Sequence, residues 1–301
     1  MKEGISKVTE AVAEKTQTQK IEDIVGSKVV YTGKKADMMD YFNNNPSIIT
    51  MFRHPLWYIW YMGTQFRGWV LPSYFLVIFT IAWNLEASLL NPNLETIVNS
   101  IGMILGVVTL ACLNQHKSCN GIFGITSAAF IIWSGVMSED WGAVFQQVAY
   151  IIALDVPVLI SKSWMGDKPV THGLSLKGLG IMIITFLIGT GLMYGVITYL
   201  GTPRIWQNSL LFGISLTASV LCLKKYRIQH LFWAATSIFA IITWGSSFMD
   251  GDTTLVMLVG TLIYLANDII AMTATEWWAP YPFNINYWRA KKKGIKLSKK
   301  Y

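Results

Sequence analysis

The chain has 301 residues, 53% of them hydrophobic and only 14% charged, with a mean hydropathy of +0.42. Soluble domains carry roughly a quarter charged residues, which excludes a water-soluble fold for most of this length. The net charge of +7 gathers at the ends of apolar runs, so it reads as membrane topology and not as a nucleic-acid surface.

Residues 1–50 are polar, with charges of both signs and no apolar core of the kind a signal peptide needs. They read as a retained, mobile or loosely helical tail. Residues 51–68 alternate aromatic and apolar side chains with Arg53, His54 and Arg67. Trp57, Trp60 and their tyrosine neighbours suit the headgroup level of a bilayer. A plain lead-in to the first span fits the same segment equally well.

Repeated apolar runs of about 20 residues follow, the length needed to cross a ~30 Å hydrocarbon core at 1.5 Å per residue. In that core every backbone N–H and C=O must be paired internally, so helices are expected. Predicted spans are 69–90, 97–114, 119–137, 142–160, 177–200, 206–223, 228–248 and 254–275. The fold expected is therefore an all-α integral membrane protein of about eight transmembrane helices. Basic residues fall almost wholly on alternate loops, Arg204 being the exception: Lys117; Lys162 and Lys168; Lys224, Lys225 and Arg227; and a basic tail, 279–301, with Lys291, Lys292 and Lys293. The intervening loops carry Glu95, Glu139 with Asp140, and Asp250 with Asp252. The positive-inside rule then puts both termini in the cytoplasm of a cell membrane.

A weak internal repeat relates spans two to four (97–160) to spans six to eight (206–275), with 177–200 as a linker span and 69–278 as the whole transporter domain. Gly121–Ser127 aligns with Leu231–Ser237, setting Phe123 on Trp233 and Thr126-Ser127 on Thr236-Ser237. Asn99-Ser100 aligns with Asn208-Ser209 and Asp155 with Asp268. The charge pattern orients both copies alike, giving a 3 + 1 + 3 core of parallel repeats behind one extra N-terminal span. That layout recurs in transporters, although channels are also built from repeats.

At these residues the chain resembles the PnuC family of vitamin transporters. The resemblance is carried by Lys117-Ser-Cys-Asn-Gly-Ile-Phe-Gly124, the acidic loop before Trp141, Gln147-Val148, and the run from Lys224 through Phe232-Trp233 to Asn267. It covers roughly residues 97–278. It implies uptake of nicotinamide riboside, an NAD precursor, by facilitated diffusion, with a cytosolic kinase trapping the substrate and a homotrimeric assembly. One departure stands out. Family members carrying nicotinamide riboside have an Asn followed by Trp-x-x-Trp near the inner part of the fourth span, whereas this chain reads Leu154-Asp-Val-Pro-Val-Leu-Ile-Ser-Lys-Ser-Trp164. Thiamine, riboflavin and deoxynucleosides, carried by relatives, stay open as substrates.

The candidate binding residues are Gln147, Tyr150, Asp155, Trp233, Asn267 and Asp268, with Gln146, Asn120, Trp133 and Trp244 as further candidates. A carboxylate inside a span costs several kcal/mol unless it faces a polar cavity or a partner, and Asp155 and Asp268 occupy equivalent places. The alternative is structural bonding, such as Asp268 with Asn267. Pro157 removes one helix hydrogen bond and crowds the Ala153 carbonyl, which weakens the helix beside Asp155. Aromatic faces and a carboxylate would suit a cationic ring, but Trp133 and Trp244 also suit an interfacial belt. Asn84 and Glu86 in the first span read as helix packing or an outer vestibule. Cys112, Cys119 and Cys222 are scattered, without CxxC, and the four histidines form no HExxH or HxxxH, so neither a disulfide framework nor a zinc site is indicated. No phosphate-cradling glycine loop, nucleophile–base pair or cofactor motif is present, so an enzyme is not expected.

Overall fold

The computed structural model describes residues 34–164, 171–201, 204–249 and 255–297, and the described residues are helical, without strands beyond an isolated bridge between His172 and Tyr226. Three short helices come first: α1 Lys34–Asn44, α2 Ser47–Arg53 and α3 Pro55–Gln65. Long apolar helices follow: α4 Leu71–Leu90, α5 Leu94–Asn114, α6 Asn120–Met137 and α7 Trp141–Ile160. Then come α8 Leu176–Leu200, α9 Ile205–Leu223, α10 Gln229–Met249 and α11 Leu255–Ala274. Helix α12, Ile285–Lys292, lies in the basic tail.

The long helices fall within a few residues of the predicted spans. Among the described residues, the 6 helices α4–α9 are long and apolar enough to cross a membrane. Helices α10 and α11, of 21 and 20 residues, fall on the last two predicted spans. Helix starts use expected chemistry. Asn93, Asp140 and Ser175 each accept a backbone N–H from the first turn of α5, α7 and α8, satisfying donors that helix ends otherwise leave unpaired. Pro72 sits in the first turn of α4, where its missing N–H costs nothing.

Helix α7 is not regular. Residues Ile151–Asp155 form a π turn, in which the Val156 N–H reaches the Ile151 carbonyl, directly ahead of Pro157. A proline cannot donate and its ring displaces the carbonyl four residues back. The extra residue in the turn absorbs that misfit.

The packing order places the cavity. Helices α5, α6 and α7 are consecutive neighbours, as are α9, α10 and α11. Contacts of α7 with α9 and of α11 with α5 close a ring, with α8 outside against α9 and α4 outside against α5 and α11. At the α8–α9 contact a Cβ on Gly189 would sit 3.2 Å from the Gly213 Cα, so small residues permit the close approach.

The end of the bundle that carries the basic loops is plugged. Leu113, Leu154, Val158, Trp164, Cys222, Trp233, Trp277 and Trp278 pack into one buried cluster. Between α5 and α6, His116 stacks on Trp277 with ring centroids 4.1 Å apart. Burial, reinforced by Lys225, His230 and Lys117, pushes the His116 imidazole well below its usual value and keeps it neutral. Lys225 donates from Nζ to the Ser163 carbonyl and lies over the Trp164 ring. The thiols of Cys112 and Cys119, scattered in sequence, meet at 3.0 Å across the same loop, because the helices on either side are antiparallel neighbours.

Residues 1–33 and 298–301, Lys168 and the Asp250–Asp252 loop lie outside the described residues. Asn84 is fully buried on α4, donating to the Thr80 carbonyl at 2.8 Å, in keeping with a packing role.

Candidate functional site

A cavity lies inside the helix ring, with an empty volume of about 740 Å³ including its open mouth. Gly106, Thr109 and Leu113 of α5, Gly124 and Ser127 of α6, and Gln147, Tyr150 and Asp155 of α7 form one side. Trp233, Thr236 and Ser237 of α10 and Tyr264 and Asp268 of α11 form the other. Leu113, Leu154 and Trp233 belong to both the cavity wall and the plug, so the plug is the cavity floor at the basic-loop end.

Asp155 is the last residue of the π turn and is 3% exposed. Its carboxyl lies against Gly124, where a Cβ would stand 2.6 Å from the Asp155 Cγ. A Cβ on Gly121, one turn away, would stand 2.7 Å from the Asp155 carbonyl oxygen. Only a glycine face on α6 lets the widened turn of α7 come this close. The π turn also brings residues five apart onto one face, which places Tyr150 above Asp155.

Asp268 sits on the regular helix α11 and is also 3% exposed. Ser237 of α10 donates to its Oδ2 at 3.1 Å. Tyr264, four residues earlier on the same face, nests its hydroxyl against Gly106, where a Cβ would stand 2.7 Å from it. Tyr150 and Trp233 meet across the cavity with ring centroids 5.7 Å apart and planes at 58°. Trp233 is oriented by its Nε1–H, which donates to Gln229 Oε1 at 3.3 Å.

The lining therefore offers two carboxyls, no basic side chain, three aromatic rings, the Gln147 amide and several hydroxyls. Such a site can stack a flat ring, bond sugar hydroxyls and offset a positive charge. Among the described residues no group of His, Cys, Asp or Glu could hold a metal ion.

Of the candidate residues read from the sequence, Gln147, Tyr150, Asp155, Trp233 and Asp268 line the cavity. Asn267 does not. It is turned behind the wall, where Asn114 Nδ2 donates to its Oδ1 at 2.9 Å and joins α5 to α11. Gln146 also faces away from the cavity, donating to the Tyr150 hydroxyl at 2.7 Å and to Ser215 of α9 at 3.3 Å. Asn120 is buried at the start of α6 outside the lining, and Trp133 is 40% exposed on the outer face of α6. The side chain of Trp244 lies outside the described residues.

Sequence reasoning omitted Tyr264, Ser127, Ser237, Thr109, Thr236 and Gly106 from the site. Two signals were available. The Thr-Ser pairs were aligned between the repeats, and Tyr264 precedes Asp268 by one helical turn.

Residues 96–279 match the family model described as nicotinamide mononucleotide transporter. A nicotinamide riboside transporter PnuC from Neisseria mucosa is 20% identical over 222 residues, covering 70% of this chain and 82% of that protein. The nicotinamide riboside transporter PnuC of Haemophilus influenzae is 22% identical over 155 residues, covering 49% and 68%. A crystal structure of the vitamin B3 transporter PnuC superposes with a TM-score of 0.59 at 18% identity, covering 70% of this chain and 93% of that one, a likeness of fold. With the family match spanning more than half of its length, the chain is a multi-pass membrane protein that belongs to the nicotinamide mononucleotide transporter family, the PnuC-type transporters it resembles in sequence.

Proposed function

We propose that this protein carries nicotinamide riboside across a cell membrane by facilitated diffusion with alternating access. The observation that carries the reading is the cavity between two helix triplets, with Asp155 and Asp268 as its charged groups and Tyr150, Trp233 and Tyr264 as its aromatic walls. Nicotinamide riboside has a fixed pyridinium charge on a flat ring and a hydroxyl-rich ribose. The aromatic faces and carboxyls suit the ring, and Gln147 and Thr236 suit the sugar. The names of the two curated relatives support the same substrate.

In this reading α4 is an extra N-terminal span and α5–α11 form a 3 + 1 + 3 core of eight spans in all, α8 being the linker. The closed ring of α5–α6–α7 with α9–α10–α11 supports two like-oriented triplets around a central site. Both termini face the cytoplasm by the loop charges. The aromatic plug at the basic-loop end then closes the cytoplasmic side, which favours a gated carrier over an open channel. Without a nucleotide-binding motif, accumulation depends on phosphorylation of the delivered substrate by a cytosolic kinase. A homotrimer is the assembly expected by resemblance. The protein acts as a transporter without catalysis of its own.

A second reading, thiamine, is favoured by one observation. The Trp pair expected for nicotinamide riboside is missing after Leu154, and thiamine also offers a flat cationic ring. A neutral deoxynucleoside would leave both carboxyls without an opposite charge. Binding of purified protein to nicotinamide riboside, thiamine, riboflavin and deoxynucleosides decides. Saturable binding of nicotinamide riboside above the others is expected, and saturable binding of none of them overturns the transporter assignment.

A further inference from the structure

Helices α1–α3 lie outside the family match, which begins at residue 96. On one side they are built into the bundle. Met38, Met39 and Phe42 of α1 pack with Tyr58 and Tyr61 of α3 and reach Ile122 of α6. The Ser47 hydroxyl donates to Tyr58 at 2.8 Å, and the Tyr61 and Ser118 hydroxyls share a buried hydrogen bond of 2.9 Å. Helix α2 packs on Val156–Ile160, the last turns of α7, just beyond Asp155.

The other side is unpartnered and apolar. Phe52 at the end of α2 and Leu56 and Ile59 on α3 are 76%, 78% and 67% exposed. Arg53 and Arg67, at the two ends of α3, are exposed as well, and no Asp or Glu occurs between Tyr41 and Leu85. Trp57 and Trp60 are half-buried at the margin. The segment runs through Gly68 directly into α4, whose Leu71, Phe75 and Ile78 present an exposed apolar face continuous in sequence with it.

We propose that α1–α3 are a docking surface for anionic phospholipid headgroups: Phe52, Leu56 and Ile59 enter the membrane interface, Arg53 and Arg67 take the phosphates, and the helices brace the basic-loop ends of α6 and α7. Charge complementarity and continuity with the first span select a lipid surface as the occupant. Apolar side chains on one face with cations beside them are the composition of interfacial helices, and Arg matches phosphate with paired donors. The attachment of α2 to the end of α7 makes this a brace on the helix that presents Asp155.

The test uses the full chain in vesicles without substrate, so its failure is separate from failure of the transport reading. The native cysteines are buried, so an environment-sensitive fluorophore is directed to Leu56→Cys. Asp37→Cys on α1, an exposed acidic position, serves as the water-facing reference. Nitroxide-bearing lipids are the quencher, in phosphatidylcholine vesicles with and without phosphatidylglycerol. Position 56 is expected to emit blue-shifted relative to position 37 and to be quenched several-fold more strongly when phosphatidylglycerol is added. Arg53→Gln with Arg67→Gln is expected to abolish that increment. Emission at the water-facing wavelength without quenching in both vesicles overturns the proposal. So does a blue shift that lipid does not quench, which would place a second copy or another protein on the surface. Quenching that ignores both phosphatidylglycerol and the Arg substitutions overturns the anionic preference.

Discussion

The two helix triplets solve one problem by different local means. In α5–α7, Asp155 reaches the cavity on a π turn just ahead of Pro157, and α6 makes room with Gly121 and Gly124. In α9–α11, Asp268 reaches it on an unbroken helix, and Ser237 of α10 holds it by a hydrogen bond. The first carboxyl is positioned by shape, the second by a polar partner. The first half is therefore the one that a change of volume damages, and the second the one that a lost hydroxyl damages. A widened turn beside a proline is also the easier of the two to rearrange, so the first half is the natural place for a gate to act.

The sharpest break of this comparison is Gly124→Leu. The new side chain would occupy the position of the Asp155 carboxyl, and overpacking of this kind costs about 1–3 kcal/mol or more. Uptake is expected to fall at least about tenfold in vesicles where the protein still inserts and elutes as a single species. Ala234→Leu, the same change at the aligned place in the second half, is expected to cost less uptake, because Asp268 is held by Ser237 and not by a glycine face. Equal loss in both would dissolve the asymmetry.

Next come the carboxyls themselves. Asp155→Asn and Asp268→Asn keep the size and remove the charge. Each is expected to weaken binding of a cationic substrate about tenfold, or ~1.4 kcal/mol, with normal insertion. Titration calorimetry reads the effect, and wild-type affinity in both variants would remove the carboxyls from the site. A smaller effect is expected for Ser237→Ala. A net hydrogen bond to a charged group contributes roughly 1.5 kcal/mol or somewhat more, partly recovered here by cavity water. A loss of about fivefold in affinity is predicted, against no loss for Ser127→Ala at the aligned place, because Ser127 donates to the Gly102 carbonyl and not to a carboxyl.

The smallest effect concerns the plug. His116 is held neutral, its pKa well below the ordinary value of ~6.5 by burial first and by Lys225, His230 and Lys117 next. A depressed pKa means that the unfolded chain takes up a proton that the folded one refuses. Stability is therefore fully present above about pH 6.5 and declines as pH falls below it. The melting temperature of purified protein is expected to drop on acidification from neutral pH. His116→Asn, which tolerates the left-handed backbone at this position, should show a shallower drop. An unchanged slope would place the acid sensitivity elsewhere.

The membrane helices were legible in sequence because lipid imposes a length and a composition on each of them. Asp155 and Asp268 were legible for the same reason, since a carboxyl in an apolar run demands an explanation. Asn267 misled because one residue along a helix is about 100° around it, so the neighbour of Asp268 faces Asn114 instead of the cavity. The π turn could not be read, since Pro157 is equally compatible with a kink. The plug was invisible because Trp164, His116 and Trp277 come from three connecting segments far apart in the chain. Proximity of that kind belongs to the packing of the bundle and leaves no periodic trace.

The most direct test of the account is nicotinamide riboside binding to purified wild-type protein and to the Asp155→Asn, Asp268→Asn double variant. The account predicts saturable binding to the first and at least about a hundredfold weaker binding to the second, from two roughly tenfold losses. Undiminished binding to a well-folded double variant would contradict it, since the substrate would then bind somewhere other than between the two triplets.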